Sequence, residues 1–287
     1  MDEATKWRFK RSISNLLRYI FLIIIALFTL YPLLYVVFGS FKTNTELVSG
    51  GSNLLPAQFI IANYVQAWTE ANFAQYTFNS VYMSLIVMAG TVFVSSLTGY
   101  CFARKEFRFK KVLYGLLLAF LFINVGSVSL YPLYSLAVNL HIQNTLIPVI
   151  LITIGTGQTS NIIITRSYVE SVPKELDEAA TIDGCSFWGI YWRIILPVIV
   201  PILATVALLS FRGGWNQYIL PLVFTMNNSA IRPLTVGVVQ LMNVGDAAAA
   251  WNIMFAGASM SIIPIVVIYF LFSKYFMSGL TNGAVKG

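Results

Sequence analysis

Charged residues are scarce in this sequence of 287 residues. Aspartate, glutamate, lysine and arginine together make up 10% of it, and hydrophobic residues make up 57%. Ordinary soluble domains carry about 25% charged residues. A soluble domain this apolar would expose large apolar patches and aggregate. The composition therefore predicts an integral membrane protein rather than a soluble domain.

The residue types that hold metals or form disulfides are almost absent. The sequence has two cysteines, Cys101 and Cys185, and one histidine, His141. Both cysteines fall near the predicted cytoplasmic ends of membrane spans, where disulfides are rare, and the three residues have no metal-ligand spacing. The phosphate-binding pattern G-x-x-x-x-G-K-S/T is also missing. The sequence therefore predicts no metal site, no cofactor and no ATP hydrolysis in this chain.

Long apolar runs predict an all-α membrane protein with six transmembrane helices. A helix needs about 20 mostly apolar residues to cross the hydrocarbon core. Residues 112–165 carry no charge, which is too long a run for one crossing, and the polar residues 141–145 divide it. The charge-free segment 213–231 predicts a short re-entrant or surface piece. Within a membrane domain of residues 16–277, the predicted spans cover about 16–39, 79–102, 112–134, 146–166, 194–215 and 252–272.

Lysine and arginine are distributed unevenly between the predicted loops. Most of the 18 fall at the N-terminus, after the second and fourth spans, or in the tail, whereas only Lys42 and Arg232 lie clearly on the other side. Cytoplasmic loops carry the excess of positive residues, so residues 1–15 and 278–287 are both predicted to be cytoplasmic. The same distribution accounts for the net charge of +7 without a nucleic-acid partner.

The predicted cytoplasmic loop 167–193 has the composition of a short helix rather than of a plain connector. Pro173 suits the start of a helix, and negative charge in the first turn complements the helix dipole. Ala179 and Ala180 then favour helix and predict a small face that another protein can approach closely. Gly184 allows the left-handed conformation that ends a helix. The acidic residues of the first turn are Glu175, Asp177 and Glu178.

The same loop carries the pattern E-A-A, three residues, G, nine residues, I-x-L-P, at Glu178-Ala179-Ala180, Gly184 and Ile194-x-Leu196-Pro197. This pattern resembles the signature of ABC importer permeases. The extension Ile182-Asp183-Gly184 looks like the carbohydrate-importer branch, the maltose and glycerol-phosphate permease type. The resemblance extends over the whole chain, through Tyr31-Pro32-Leu33, Ser40-Phe41-Lys42, Asn63-Tyr64, Trp215-Asn216, Pro221-Leu222 and the tail from Ser278 to Gly287.

The resemblance implies a type I ABC importer in the bacterial cytoplasmic membrane. This chain would pair with a second, homologous permease subunit, and two ATPase subunits would bind the ATP and Mg²⁺. An extracytoplasmic solute-binding protein would deliver a carbohydrate, and the tail would reach toward the ATPases. The loop helix would be the coupling helix that docks on an ATPase. Its implied coupling residues are Glu175, Glu178, Ala179, Ala180, Asp183 and Gly184.

Polar residues within or beside the predicted spans are candidates for the translocation path. Their amides offer hydrogen bonds to a sugar, but they can equally satisfy backbone or partner-helix groups, and an arginine near a span end can extend to the membrane surface. A stand-alone channel or secondary transporter is the alternative function. It predicts paired ionisable residues at mid-membrane or inverted repeats, and the sequence has neither. The candidates are Gln158, Asn161, Arg212, Asn216 and Gln217.

Overall fold

The computed structural model describes residues 3–49, 53–123, 126–243 and 249–284. Within these ranges the chain forms helices joined by turns and loops, without a β-strand, which confirms the predicted all-α class. The helices are α1 (Glu3–Gly39), α2 (Asn44–Val48), α3 (Ala62–Glu70), α4 (Phe73–Arg104), α5 (Lys110–Ala119), α6 (Leu130–Asn139), α7 (Ile147–Ser171), α8 (Glu175–Ile182), α9 (Phe187–Ile190), α10 (Leu196–Val198), α11 (Val200–Trp215), α12 (Ile219–Phe224), α13 (Leu234–Gln240) and α14 (Trp251–Ala284).

The chain divides into two compact units. The first consists of Met1–Ala71 with Val238–Met260, and the second consists of Asn72–Gly237 with Ser261–Gly287. Each unit is therefore assembled from parts of the chain that are distant in sequence.

Polar contacts connect the segments of the first unit. Asn63 on α3 is buried, and its Nδ2 donates to the carbonyl oxygens of Ser40 and Lys42 at 2.8 and 2.9 Å. Its Oδ1 accepts a hydrogen bond of 3.0 Å from Nδ2 of Asn252 at the start of α14. The Lys42 side chain is 2% exposed, and its ammonium lies 3.8 Å from the Glu46 carboxylate. A buried charge is tolerated because it is paired in this way.

Three long helices, α4, α7 and α11, pack against one another in the second unit. Glycines permit their close approach. A Cβ atom at Gly99 would lie 3.0 Å from the backbone nitrogen of Arg166 on α7, and one at Gly214 would lie 3.1 Å from the Cα atom of Ser84 on α4. Small residues at such crossings are typical of membrane helices, because van der Waals contact replaces the hydrophobic effect there.

Four helical segments in the described ranges are long and apolar enough to cross a membrane. They match the predicted first, second, fourth and sixth spans in position. These segments are Ser14–Gly39, Phe73–Arg104, Ile147–Ser171 and Trp251–Leu271.

The predicted fifth span, 194–215, is not one straight helix. Phe187–Val198 and Val200–Trp215 together are long and apolar enough for a crossing, but they meet at an angle of 79°. The first segment contains a π-helical turn at Tyr191–Ile195. Pro201, in the first turn of α11, has no N–H to donate to the preceding segment. The bend therefore has an identifiable cause in the sequence.

The stretch predicted as the third span, 112–134, forms two ten-residue helices in place of one. α5 ends at Ala119, and α6 begins at Leu130 after a 3₁₀ turn at Gly126–Ser129. Gly126 has a φ of +53°, a left-handed conformation that a right-handed helix does not contain. Pro132 supplies no N–H in the first turn of α6. Both residues lie at or just before the start of α6.

Two further predicted regions are the re-entrant segment 213–231 and the tail 278–287. The predicted re-entrant segment 213–231 contains α12 and a 3₁₀ turn at Ser229–Ile231. α14 continues to Ala284, so the predicted tail 278–287 begins as helix. Residues 1–2 and 285–287 of the predicted cytoplasmic ends lie outside the described residues.

Candidate functional site

The loop between α7 and α9 contains the eight-residue helix α8. The helix begins at Glu175, two residues after Pro173, so the proline precedes the first turn and does not occupy it. Glu175, Asp177 and Glu178 all lie in that first turn, where their charge complements the partial positive charge of the helix N-terminus. The predicted helix and its acidic first turn are therefore present, and the helix begins two residues later than the predicted start at Pro173.

Gly184 ends the helix as predicted. Its φ is +78°, which is the left-handed conformation that glycine adopts without a Cβ penalty. The Gly184 N–H donates to the Thr181 carbonyl at 3.1 Å, and the Cys185 N–H donates to the Ala180 carbonyl at 2.9 Å. This pair of bonds is a Schellman motif. It satisfies two terminal carbonyls and turns the chain toward α9.

Ala180 does not belong to an exposed face. It is 4% exposed and packs in a hydrophobic cluster with Val169, Ile190 and Tyr191. The expected alanine-lined outer face is therefore wrong for Ala180. The side chain was placed outside because sequence alone does not give the rotation of α8 about its axis, which the cluster determines.

The outer face of α8 is acidic and apolar. Ile182 is 86% exposed and Leu176 is 40% exposed, and the sequence interpretation had given neither a role. Apolar side chains exposed beside polar ones are typical of protein–protein or membrane interaction sites. The exposed residues that the sequence had predicted as coupling residues are Glu175, Glu178, Ala179, Asp183 and Gly184.

Asp177 points inward and connects α8 to the end of α4. Its Oδ1 accepts a hydrogen bond of 3.0 Å from the Tyr100 hydroxyl. Its Oδ2 lies 3.0 Å from Nε of Arg104, an ion pair without hydrogen-bond alignment. Nη2 of Arg104 donates to the carbonyl of Val172, at the end of α7, at 2.6 Å. One guanidinium group therefore contacts both α7 and α8.

Sequence reasoning counted Asp177 only as one of three charges near a helix N-terminus. The residue spacing contains part of the information about this contact, because Tyr100 and Arg104 are four residues apart and so share a face of α4. Asp177 and Ala180 are three residues apart and share a face of α8. Neither spacing shows that these two faces meet.

Aromatic side chains pack beneath the same junction. The Tyr100 ring lies 5.3 Å from that of Phe187 and 5.7 Å from that of Tyr191, centroid to centroid. The Tyr191 hydroxyl is buried and 2.7 Å from Oγ of Ser96 on α4. These contacts join α4 to the π-helical turn that follows α9. α8 therefore lies over a tightly packed junction of α4, α7 and the bent segment.

Two of the predicted path residues line one cavity. Asn161 on α7 and Gln217 after α11 border a space of ≈ 200 Å³ between α4, α7 and α11. Ser210 also lines this space, and its buried Oγ has no hydrogen-bond partner among the described residues. The Asn161 amide donates to the carbonyl of Gly157 at 2.8 Å, so part of its capacity serves its own helix. Gln217 also borders a larger cavity of ≈ 960 Å³.

The other three path candidates are separated. Gln158 is 9% exposed, and neither atom of its side-chain amide has a partner among the described residues. Arg212 and Asn216 are exposed on the surface of the subunit and do not belong to the lining of the ≈ 200 Å³ cavity. The structure therefore brings Asn161 and Gln217 together and does not bring the five residues into one site.

The described residues contain no group of three or more histidine, cysteine, aspartate or glutamate side chains that could hold a metal ion.

Residues 92–281 match the family model described as binding-protein-dependent transport system inner membrane component. The chain is 35% identical to the probable ABC transporter permease protein YurM of Bacillus subtilis, over 98% of this chain and 91% of that protein. It is 34% identical to the arabinooligosaccharides transport system permease protein AraQ of Halalkalibacterium halodurans, over 97% of this chain and 100% of that protein. The fold matches a chain in the crystal structure of a bacterial ABC transporter involved in the import of the acidic polysaccharide alginate, with a TM-score of 0.78 and 22% identity, over 93% of this chain and 98% of that one.

Proposed function

The chain belongs to the family of binding-protein-dependent transport system inner membrane components, and we propose that it is the permease subunit of an ATP-driven importer of a carbohydrate. It carries no ATPase motif of its own, so a separate subunit hydrolyses the ATP. The observation that carries the proposal is α8, a short helix with an exposed acidic and apolar face, fixed to the ends of α4 and α7.

α8 acts as the coupling helix. Two ATPase subunits dock on this helix and on its counterpart in a second, homologous permease subunit. Ile182 and the exposed carboxylates of Glu175, Glu178 and Asp183 supply apolar contact and charge complementarity. Closure of the ATPase dimer on ATP moves the coupling helices, and the permease pair opens to the outside. Hydrolysis and product release return it to the inward-open state.

The chain crosses the bacterial cytoplasmic membrane six times, with both termini in the cytoplasm. Four crossings are the long apolar helices, and the bent pair Phe187–Val198 and Val200–Trp215 supplies a fifth. The sixth consists of α5 and α6 with the turn between them. The distribution of lysine and arginine supports this orientation, because cytoplasmic loops carry the excess of these residues. With both termini in the cytoplasm, most of the lysines and arginines lie on the cytoplasmic side, and so does α8.

The substrate is an oligosaccharide or a related sugar, delivered by an extracytoplasmic solute-binding protein. Relatives named for the transport of arabino-oligosaccharides and galacto-oligosaccharides support this substrate class. The cavity bordered by Asn161, Ser210 and Gln217 offers amide and hydroxyl groups to sugar hydroxyls on the translocation path. Gln158 and the exposed Arg212 and Asn216 are further candidates for contact along this path.

The test is reconstitution of the chain with its partner permease, the ATPase and the solute-binding protein in lipid vesicles. ATP hydrolysis and uptake of a labelled oligosaccharide are then measured together. Glu178→Lys reverses an exposed charge on the outer face of α8, and we expect it to abolish ATPase binding or sugar-stimulated hydrolysis. Glu70→Lys makes the same chemical change at an exposed position on α3, on the opposite side of the membrane from the ATPase in this topology, and should leave ATPase binding unchanged.

One outcome would favour the alternative function. If the wild-type chain purified alone, moved solute without ATP and tolerated Glu178→Lys, a channel or secondary transporter would be the better description.

A further inference from the structure

The ion pair between Arg104 and Asp177 joins two helices that are far apart in the sequence. α8 is already tied to α7 and α9 by short linkers, whereas α4 is distant in sequence. We propose that Arg104 and Asp177 are positioning residues that transmit the movement of α8 to α4, so that α4 moves with the coupling helix. This inference rests on the proposed function, because it assigns a role to residues behind the ATPase-docking face.

The geometry engages both oxygens of one carboxylate. Oδ1 of Asp177 accepts from the Tyr100 hydroxyl at 3.0 Å, and Oδ2 lies 3.0 Å from Nε of Arg104. Tyr100 and Arg104 are successive residues on one face of α4. A single contact would allow α8 to pivot about it, but two contacts on the same helix restrain its rotation. α8 therefore has a defined orientation relative to the end of α4.

Burial makes this pair different from a surface ion pair. The side chains of Arg104 and Asp177 are 5% and 17% exposed, and the ring of Tyr100 packs against the rings of Phe187 and Tyr191. Electrostatic attraction is stronger away from water, and separating a buried pair leaves an uncompensated charge. The contact is therefore expected to persist while α8 moves, and α4 must follow.

The acidic residues of α8 are divided between two roles. Glu175 and Glu178 are exposed and available to a partner, whereas Asp177 is directed to α4. Because α4 packs along both α7 and α11, its movement would reach the helices that border the ≈ 200 Å³ cavity. A movement of α8 would therefore be transmitted to α4, α7 and α11.

A positioning role and a purely structural role predict different measurements. If the pair only stabilised the fold, its loss would reduce the amount of assembled complex, and the complex that remained would import normally. If the pair transmits movement, the complex assembles and hydrolyses ATP but imports less sugar for each ATP. The ratio of ATP hydrolysed to sugar imported separates the two.

The experiment uses the full reconstituted complex with Asp177→Asn, which keeps the shape of the side chain and removes its charge. We expect the ATPase to co-purify with the complex that assembles, and the amount of ATP hydrolysed per sugar imported to rise above that of the wild type. A double variant with Arg104→Asp and Asp177→Arg exchanges the two charges and can form the ion pair again. Its ratio should be closer to wild type than the ratio of Arg104→Asp alone or of Asp177→Arg alone. Glu170→Gln breaks an ion pair of 2.8 Å within α7 that is more exposed and serves as the control with an unchanged ratio.

A second variant keeps the test decisive if Asp177→Asn does not assemble. Tyr100→Phe removes only the hydroxyl that donates to Asp177, and we expect a smaller rise in the same ratio with full assembly. An unchanged ratio in every variant that assembles would overturn the proposal. Failure of the proposed function is distinguishable, since the wild-type complex itself would then show no ATP-dependent import.

Discussion

Gly184→Ala isolates the contribution of one backbone conformation to the docking of α8. Gly184 has a φ of +78°, and a Cβ atom added there would meet nothing within 4 Å. The substitution therefore introduces no clash with neighbouring side chains. Its cost is the intrinsic penalty of a left-handed residue with a Cβ atom, about 1–2 kcal/mol. A penalty of this size lowers the ratio of correctly turned to altered loops by about 5–30-fold.

The assay is titration of purified ATPase subunit onto vesicles that contain the permease pair. If docking requires the turn at Gly184, the apparent Kd rises by up to the same factor for Gly184→Ala. Gly184→Asn should weaken binding less, because asparagine tolerates the left-handed conformation better than alanine. The control is Gly115→Ala, which adds the same methyl group in the interior of α5, where the space is also open.

The comparison of the two substitutions can refute this reasoning. If Gly184→Asn weakens binding as much as Gly184→Ala, the conformation of residue 184 is not the cause. If Gly184→Ala binds like wild type, the Schellman turn is not needed for docking.

Three further predictions concern packing. Tyr191→Phe removes the buried hydroxyl 2.7 Å from Ser96 and should lower the free energy of unfolding by about 0.5–1.5 kcal/mol, measured by thermal denaturation in detergent. Gly214→Ala places a methyl group 3.1 Å from the backbone of α4 and should cost about 1–3 kcal/mol in the same measurement, whereas Gly213→Ala, with open space, should cost nothing. Asn63→Ala leaves two buried carbonyl oxygens without their donor and should cost at least about 1–3 kcal/mol; an unchanged melting temperature would contradict the role of this side chain.

Local chemistry explains what could be predicted from the sequence. The long apolar helices follow from composition, because about 20 apolar residues are needed for a crossing. The end of α8 follows from Gly184, because glycine is the residue that adopts its conformation without a penalty. Both features depend on residues close together in the chain.

The burial of Asp177 and Ala180 depends on contacts between distant residues. Asp177 has the same sequence context as Glu175 and Glu178, and only its position against Arg104 makes it a buried partner. Ala180 is buried for the same reason, since the rotation of α8 is determined by the cluster beneath it. The break between α5 and α6 was missed because the apolar composition of residues 112–134 does not reveal the left-handed conformation of Gly126.

The first long apolar segment has a consequence for how the chain crosses the membrane. Residues 15–34 of the segment Ser14–Gly39 are all exposed on the surface of the chain. At about 1.5 Å per residue, its 26 residues extend about 39 Å, longer than the hydrocarbon core of about 30 Å. A helix of this length adapts to a thinner bilayer by tilting. The segment is therefore long enough to cross the membrane with some tilt, and within the described part of this chain it is held only at its C-terminal end, where Tyr35 contacts the ring of Phe255.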